Sequence, residues 1–112
     1  AVITSVAGDR GRASNFVYGA AKSMVSAYLQ GMRGKLFPHK VHMVDIRPGL
    51  VDSPMTAHLK KGLLWSSPES IANKIVAGIA AGKHTLYAPG YWRVIMFVVR
   101  LIPEFIFKRL KF

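Results

Sequence analysis

The chain has 112 residues, of which 51% are apolar; this is enough material for one hydrophobic core and too little for two domains. Its formal net charge of +11 favours nucleic acid, an anionic membrane surface or an anionic substrate as a partner. The absence of cysteine excludes disulfides, thiolate metal sites and thiol nucleophiles. The basic residues are scattered, and no basic run interleaved with aromatic residues occurs in the first ninety residues, so we expect no nucleic-acid partner.

The first elements in chain order are a strand, a loop and a helix. The opening run AVITSV is rich in β-forming residues and leads into the turn-forming stretch AGDRGR. We expect no secretory signal, and we expect the chain to start inside a strand of an intracellular protein. Apolar residues then recur every three or four positions from Asn15, which predicts a helix that ends near Gly31 or Gly34.

The next stretch predicts two more strands around a second helix. KVHMVDIRPG indicates a buried strand halted at Pro48, and HTLYAP indicates a third strand. Between them, SSPESIANKIVAGIAAGK predicts a helix with a serine cap at position 66 or 67, Pro68 in its first turn and an end at Gly82. The order β, α, β, α, β predicts a parallel sheet covered by helices.

The tail, residues 91–112, predicts an amphipathic helix that Pro103 kinks or restarts. Its apolar stretches are too short to span a bilayer, whereas a basic helix with Trp and Phe suits a membrane surface. The alternative is that it packs on the rest of the protein or on a second subunit. The charged residues that share one stripe are Arg93, Arg100, Glu104, Lys108 and Lys111.

Three residues near the start form a candidate catalytic group. Tyr18 and Lys22 are four residues apart and share a helix face, where an ammonium lowers the pKa of a neighbouring phenol. A tyrosine so activated works as a general acid or base. Ser5 ends the preceding strand and would bond the same substrate oxygen, at the sheet edge where open α/β folds bind ligands. By itself, such a tyrosine–lysine pair is also common on ordinary amphipathic helices.

The spacing of Ser5, Tyr18 and Lys22, followed by RPGLVDSPM after the next strand, resembles the short-chain dehydrogenases/reductases. That resemblance implies an NAD(P)-dependent oxidoreductase with a Rossmann-type, doubly wound parallel sheet, of which this chain would be the C-terminal part with an amphipathic C-terminal helix. Residues 1–90 would be half of the reductase domain, and residues 91–112 its tail. The family's glycine-rich phosphate loop would lie upstream, so we expect the chain alone to be inactive.

The resemblance also implies residue roles. Tyr18 would protonate the carbonyl oxygen, Ser5 would orient the carbonyl, and Lys22 would lower the pKa of Tyr18 and bond the nicotinamide ribose. The cofactor would be NADP or NAD, with NADPH favoured. Its expected contacts are Tyr18, Lys22, Pro48, Gly49, Val51 and Ser53, the last standing where the family has threonine.

Within the family, the sequence looks most like decaprenylphosphoryl-2-keto-erythro-pentose reductases, which act on a keto sugar carried by a polyprenyl phosphate. Four basic residues would then face the phosphate, although each is equally an ordinary solvated charge: Arg10, Arg12, Lys60 and Lys61. We further expect a homo-oligomer in the cytoplasm, at the inner face of the membrane, and no metal site. The alternatives are a reductase of another hydrophobic ketone or lipid, and a non-catalytic membrane-surface module.

Overall fold

The computed structural model describes residues 1–59 and 62–111. Three parallel strands pair in the order β1–β2–β3. The strands are β1 (Val2–Ile3), β2 (Asp45–Pro48) and β3 (Thr85–Ala88). The helices are α1 (Phe16–Leu36), α2 (Pro68–Ala80), α3 (Tyr91–Leu101) and α4 (Glu104–Phe107). Because α1 and α2 connect parallel strands, the expected α/β fold class is confirmed.

Helix α1 continues through the two glycines at which the sequence predicted its end. It runs to Leu36, followed by a 3-10 turn over Phe37–His39. Arg33, in the last turns, donates hydrogen bonds to the carbonyl oxygens of Met43 at 3.3 Å and His84 at 2.7 Å. These bonds tie the end of α1 to the segments before β2 and β3, which offsets the roughly 1 kcal/mol cost of a glycine in a helix.

Helix α2 begins as its sequence predicts. The Ser67 hydroxyl oxygen accepts a hydrogen bond from the Ser70 N–H at 3.2 Å, and Pro68 is the first helical residue. The helix ends at Ala80, and Gly82 then adopts a positive φ of 74° that favours glycine.

Strand β2 carries the buried charges of the fold. Asp45 is 1% exposed and accepts hydrogen bonds from the Thr4 hydroxyl at 2.6 Å and from Arg47 Nε at 2.9 Å. Arg47 Nη1 reaches Asp9 Oδ1 at 3.0 Å, and the Tyr87 hydroxyl of β3 donates to the same carboxylate. Asp9 belongs to the loop that follows Ser5, so this network fixes that loop against the sheet.

The network shifts the pKa values of two of its members. Burial by itself would lower the pKa of Arg47, but its hydrogen bond to Asp45 and the negative charge of Asp9 raise it above the ordinary value. Burial raises the pKa of Tyr87, and the hydrogen bond to Asp9 and the charge of Asp9 raise it further, although Arg47 opposes them. Folding therefore favours the protonated forms of both side chains.

The tail packs on the domain with one side of α3. Trp92 and Met96 are buried against Tyr87. The chain breaks at Ile102 and Pro103, as the proline predicted, and α4 then turns the buried ring of Phe107 back toward the domain. One side of the tail therefore packs on the rest of the protein, which was the alternative to contact with a membrane.

Arg10 holds the C-terminal end of α3. Its Nη1 donates to the carbonyl oxygens of Val99 and Ile102, both at 2.6 Å, and its Nη2 pairs with Glu104 at 2.9 Å. The guanidinium carbon also lies 3.7 Å from the centre of the Phe107 ring. A single arginine thus satisfies carbonyls at the helix end and joins the loop after Ser5 to the tail.

We expect the stability of the complete protein to fall above about pH 10 because Tyr87 is held protonated by folding. The raised pKa makes this contribution fully present below the unfolded pKa and lost as pH rises through the folded one. Urea unfolding at pH 8 and pH 11 should show a smaller fall for Tyr87→Phe than for the unmodified protein. Exposed Tyr28→Phe is the control, and equal falls in all three proteins would contradict the prediction.

Candidate functional site

A cavity of about 320 Å³ lies beyond the carboxyl ends of β1 and β2. It brings together residues from the loop after β1, the start of α1 and the segment after β2. Among its lining residues are Ser5, Arg12, Tyr18, Gly49, Val51 and Thr56. A separate polar cavity beside Asp9, Asp45 and Arg47 contains none of the residues that the sequence predicted for catalysis.

Ser5 is oriented by the turn that it begins. Its side-chain oxygen accepts a hydrogen bond from the Ala7 N–H at 3.1 Å and caps the 3-10 turn Val6–Gly8. Accepting this bond fixes the side chain and leaves its own O–H available as a donor. The hydroxyl can therefore donate to an oxygen bound in the cavity.

Two glycines let this turn lie against the first turns of α1. A Cβ on Gly19 would lie 2.8 Å from the Ala7 carbonyl oxygen, and a Cβ on Gly8 would lie 2.8 Å from the Ser23 nitrogen. Either contact is too short for a side chain. The absence of both Cβ atoms brings the beginning of α1, and with it Tyr18, to the same cavity as Ser5.

Lys22 follows Tyr18 by one helical turn, as the spacing predicted. Its Nζ lies 5.6 Å from the centre of the Tyr18 ring. Unlike Tyr18, it is not among the residues that line the cavity. The Lys22 ammonium therefore lies near the Tyr18 ring, which lines the cavity, but Lys22 does not line the cavity itself.

The segment after β2 contributes through its backbone and through a residue that the sequence did not indicate. Gly49 and Val51 line the cavity, whereas Pro48 and Ser53 do not. The Ser53 N–H donates to the Thr56 hydroxyl at 3.2 Å, and that hydroxyl donates to the Val51 carbonyl at 2.7 Å. Thr56 lines the cavity whereas Ser53 does not, and the Thr56 hydroxyl is bonded to the backbone of the same segment.

The basic residues expected at a substrate phosphate have different positions. Arg10 is occupied by the end of α3 and by Glu104, so a phosphate role for it does not fit its contacts. Arg12 lines the cavity, and its guanidinium has no hydrogen-bond or ion-pair partner within residues 1–59 and 62–111. Lys60 and Lys61 lie outside the described residues.

Asn15 is a second residue that the sequence analysis did not place in the site. Its side chain makes no capping bond with α1, and the residue lines the cavity. Its position three residues before Tyr18, at the same end of the helix, is the feature of the sequence that indicates that it lies close to Tyr18.

The donor set fits one end of a dinucleotide. Tyr18, Gly49 and Val51 line the cavity, as the resemblance to the dehydrogenases implies for residues at a nicotinamide, and the Lys22 ammonium lies near the Tyr18 ring. The sequence contains no GxxxGxG pattern for a pyrophosphate. In the part of the chain that the structure describes, no group of three or more His, Asp or Glu side chains is arranged to hold a metal ion.

Comparison with solved structures agrees with this architecture. A crystal structure of a short chain dehydrogenase from Burkholderia cenocepacia, in complex with NADP, superposes with a TM-score of 0.82 over 96% of this chain and 46% of that one. The sequence identity is 18%, so the similarity establishes the fold.

Sequence comparisons give the relationship. An uncharacterized oxidoreductase of Streptomyces coelicolor is 35% identical over 109 residues, which cover 97% of this chain and 43% of that protein. An uncharacterized oxidoreductase of Mycobacterium tuberculosis is 32% identical over 97% of this chain and 44% of its own length. The chain therefore spans less than half the length of these relatives. The family model for short chain dehydrogenases matches residues 1–63, more than half of the chain. The chain belongs to the short-chain dehydrogenase family.

Proposed function

We propose that the complete protein is an NAD(P)-dependent reductase that converts a ketone to a secondary alcohol. The observation that carries this proposal is one cavity lined by both the Ser5 and the Tyr18 side chains, with the Lys22 ammonium 5.6 Å from the Tyr18 ring centre. Family membership supports the reaction class. The rest of the complete protein would supply the glycine-rich phosphate loop that this sequence does not contain.

In this proposal Tyr18 is the general acid. The ketone oxygen gains the phenolic proton of Tyr18 as the carbonyl carbon gains a hydride, and Tyr18 is later reprotonated from solvent. When bound, the reduced dinucleotide supplies that hydride. The product is the secondary alcohol, and no atom remains on the protein.

Ser5 and Lys22 assist Tyr18 in different ways. The Ser5 hydroxyl, held through its bond from the Ala7 N–H, donates to the oxygen on which negative charge develops. A donor that is already oriented stabilises that charge more in the transition state than in the ketone. Lys22 attracts the negative charge that Tyr18 acquires as its proton leaves, and its ammonium would bond the ribose.

For the cofactor we propose NADP or NAD, with NADPH preferred. The Burkholderia protein of the same fold was solved with NADP, which supports a dinucleotide of this type. Within this chain, the residues that would contact its nicotinamide end are Tyr18, Lys22, Gly49 and Val51; Thr56 lines the cavity and Ser53 does not.

For the substrate we propose a hydrophobic ketone, with a keto sugar on a polyprenyl phosphate as the most specific candidate. Arg12 supports an anionic group, because it lines the cavity and lacks a partner among the described residues. Arg10 gives no such support, since its guanidinium is bound to the tail. A reductase of another hydrophobic ketone or lipid fits the same cavity.

We expect Tyr18→Phe in the complete protein to lower kcat by about 10² to 10⁴-fold, because it removes the proton donor and little else. NADPH consumption with ketone measures kcat, and NADPH binding measured without ketone should change little. Tyr28→Phe is the matched control, since Tyr28 lies on the same helix and is exposed. Near-normal turnover of Tyr18→Phe would remove Tyr18 from the mechanism.

Membrane association is a further part of the proposal. No helix among the described residues is long and apolar enough to cross a bilayer. The outer side of α3 and the neighbouring part of α4 nevertheless expose large apolar side chains, each more than half exposed, beside basic residues of the tail. They are Val94, Phe97, Val98, Leu101 and Phe105. Such a surface suits the interface of an anionic membrane, whether the protein is a reductase or a non-catalytic module.

We expect the complete protein to sediment with vesicles that contain anionic lipid, and less so at high salt because screening weakens the attraction. Phe97→Ser should weaken binding to the vesicles about tenfold or more, since it removes one apolar side chain from the face that would lie in the membrane. Phe37→Ser is the control, because Phe37 is 79% exposed but lies beyond the end of α1. Absence of binding, or equal binding by both variants, would contradict the membrane proposal.

The homo-oligomer that the resemblance implies stays a prediction. Exposed Phe16 and Met24 on α1 support a covered face in the complete protein. Sedimentation equilibrium tests it, and a monomeric mass would contradict it.

A further inference from the structure

A second cavity, of about 240 Å³, lies between α3 and the turn that follows Ser5. Helix α3 contributes Trp92, Ile95, Met96 and Val99 to its wall. Apart from Arg12, every lining residue is apolar. This is an apolar chamber whose composition differs from that of the cavity at Ser5 and Tyr18, which we call the catalytic cavity.

The apolar chamber adjoins the catalytic cavity. Four residues line both spaces: Val6, Ala7, Arg12 and Leu50. A ligand whose carbonyl lies at Ser5 and Tyr18 therefore has an apolar compartment next to that carbonyl, bordered by the same four residues.

The size of the chamber indicates a ligand group. Protein interiors are close-packed and contain few voids larger than a water molecule. An engineered apolar cavity of about 150 Å³ stays dry and binds benzene. A chamber of 240 Å³ has room for a group larger than benzene.

The wall formed by α3 is fixed at both ends. At its start, the Trp92 indole lies so close to Gly49 that a Cβ there would be 2.0 Å from Nε1. The Trp92 Nε1 is buried without an acceptor among the described residues, so the indole adds no polar atom to the chamber surface. At its other end, Arg10 bonds the carbonyl oxygens of Val99 and Ile102.

We infer that the apolar chamber receives a bulky apolar group of the substrate, which makes the substrate a ketone with a ring system or branched chain larger than benzene near its carbonyl. This inference rests on the proposed reductase function. Arg12 lines both spaces and would bind an anionic group on the same molecule.

The test compares 2-acetylnaphthalene with 2-butanone as substrates of the complete protein with NADPH. We expect a higher kcat/KM for 2-acetylnaphthalene, because only its naphthyl group fills the chamber. Ile95→Phe places a ring in the chamber and should lower the ratio of the two kcat/KM values at least tenfold. Val76→Phe is the matched control, since Val76 is exposed on α2 and lines neither space, and it should leave the ratio unchanged.

A binding measurement separates this inference from the proposed function. Calorimetric titration of the Tyr18→Phe variant with 2-acetylnaphthalene needs no turnover, and adding Ile95→Phe should weaken the binding at least tenfold. If no ketone is reduced but this binding pattern is found, the reductase function fails and the chamber remains a binding site. If ketones are reduced without preference and Ile95→Phe changes neither ratio nor binding, the inference is overturned and the reductase function stands.

A folding control keeps the result interpretable. Thermal unfolding and NADPH binding show whether Ile95→Phe is folded. Ile95→Ala, which enlarges the chamber, provides the opposite change and should raise the ratio for a still larger ketone, 2-acetylanthracene, over 2-butanone. An unchanged ratio in folded Ile95→Ala also overturns the inference.

Discussion

The ion pairs of Arg47 with two buried carboxylates are the interaction on which the position of the site depends. The Arg47 guanidinium bonds Asp45 on its own strand and Asp9 in the loop after Ser5, and both carboxylates are 2% exposed. Carboxylates removed from water are costly unless they are paired and hydrogen-bonded. Tyr87 and Thr4 complete that pairing from β3 and from the end of β1. The loop that carries Ser5 therefore has one low-energy place against the sheet, and the catalytic cavity is built around it.

Two further contacts hold the same loop from other directions. Gly8 and Gly19 let it pack against α1 at distances that no side chain allows, which brings Tyr18 to Ser5. Arg10, the residue after Asp9, joins it to the end of α3. Consecutive residues thus fasten one loop to the sheet, the first helix and the tail. A donor held in this way is oriented before the substrate binds, which is the condition for electrostatic stabilisation of a transition state.

In the proposed reductase, the two spaces would have different tasks. The catalytic cavity is lined by Ser5, Tyr18 and Gly49, and the proposal assigns the carbonyl chemistry to it. The apolar chamber under α3 is lined by none of the proposed catalytic residues, so we assign it to substrate selection. A fold supports many substrates through such differences. Helix α3 lines the chamber with one side and exposes apolar side chains on the other, and that outer side is the surface proposed to meet a membrane.

The features that depend on near neighbours in the chain could be predicted from the amino-acid sequence. Periodicity and capping residues gave α2 and the break at Pro103, element order gave the parallel sheet, and spacing gave the approach of Lys22 to Tyr18. Other features could be learned from the folded chain alone: β2 begins at Asp45 with its charge buried, α1 passes its glycines, and Thr56 lines the cavity whereas Ser53 does not. The same holds for Arg10, which bonds carbonyl oxygens 89 and 92 residues away. The reason is physical: local propensity acts within a few residues, whereas the partner of a long or charged side chain is whatever the folded chain brings within about 3 Å of it.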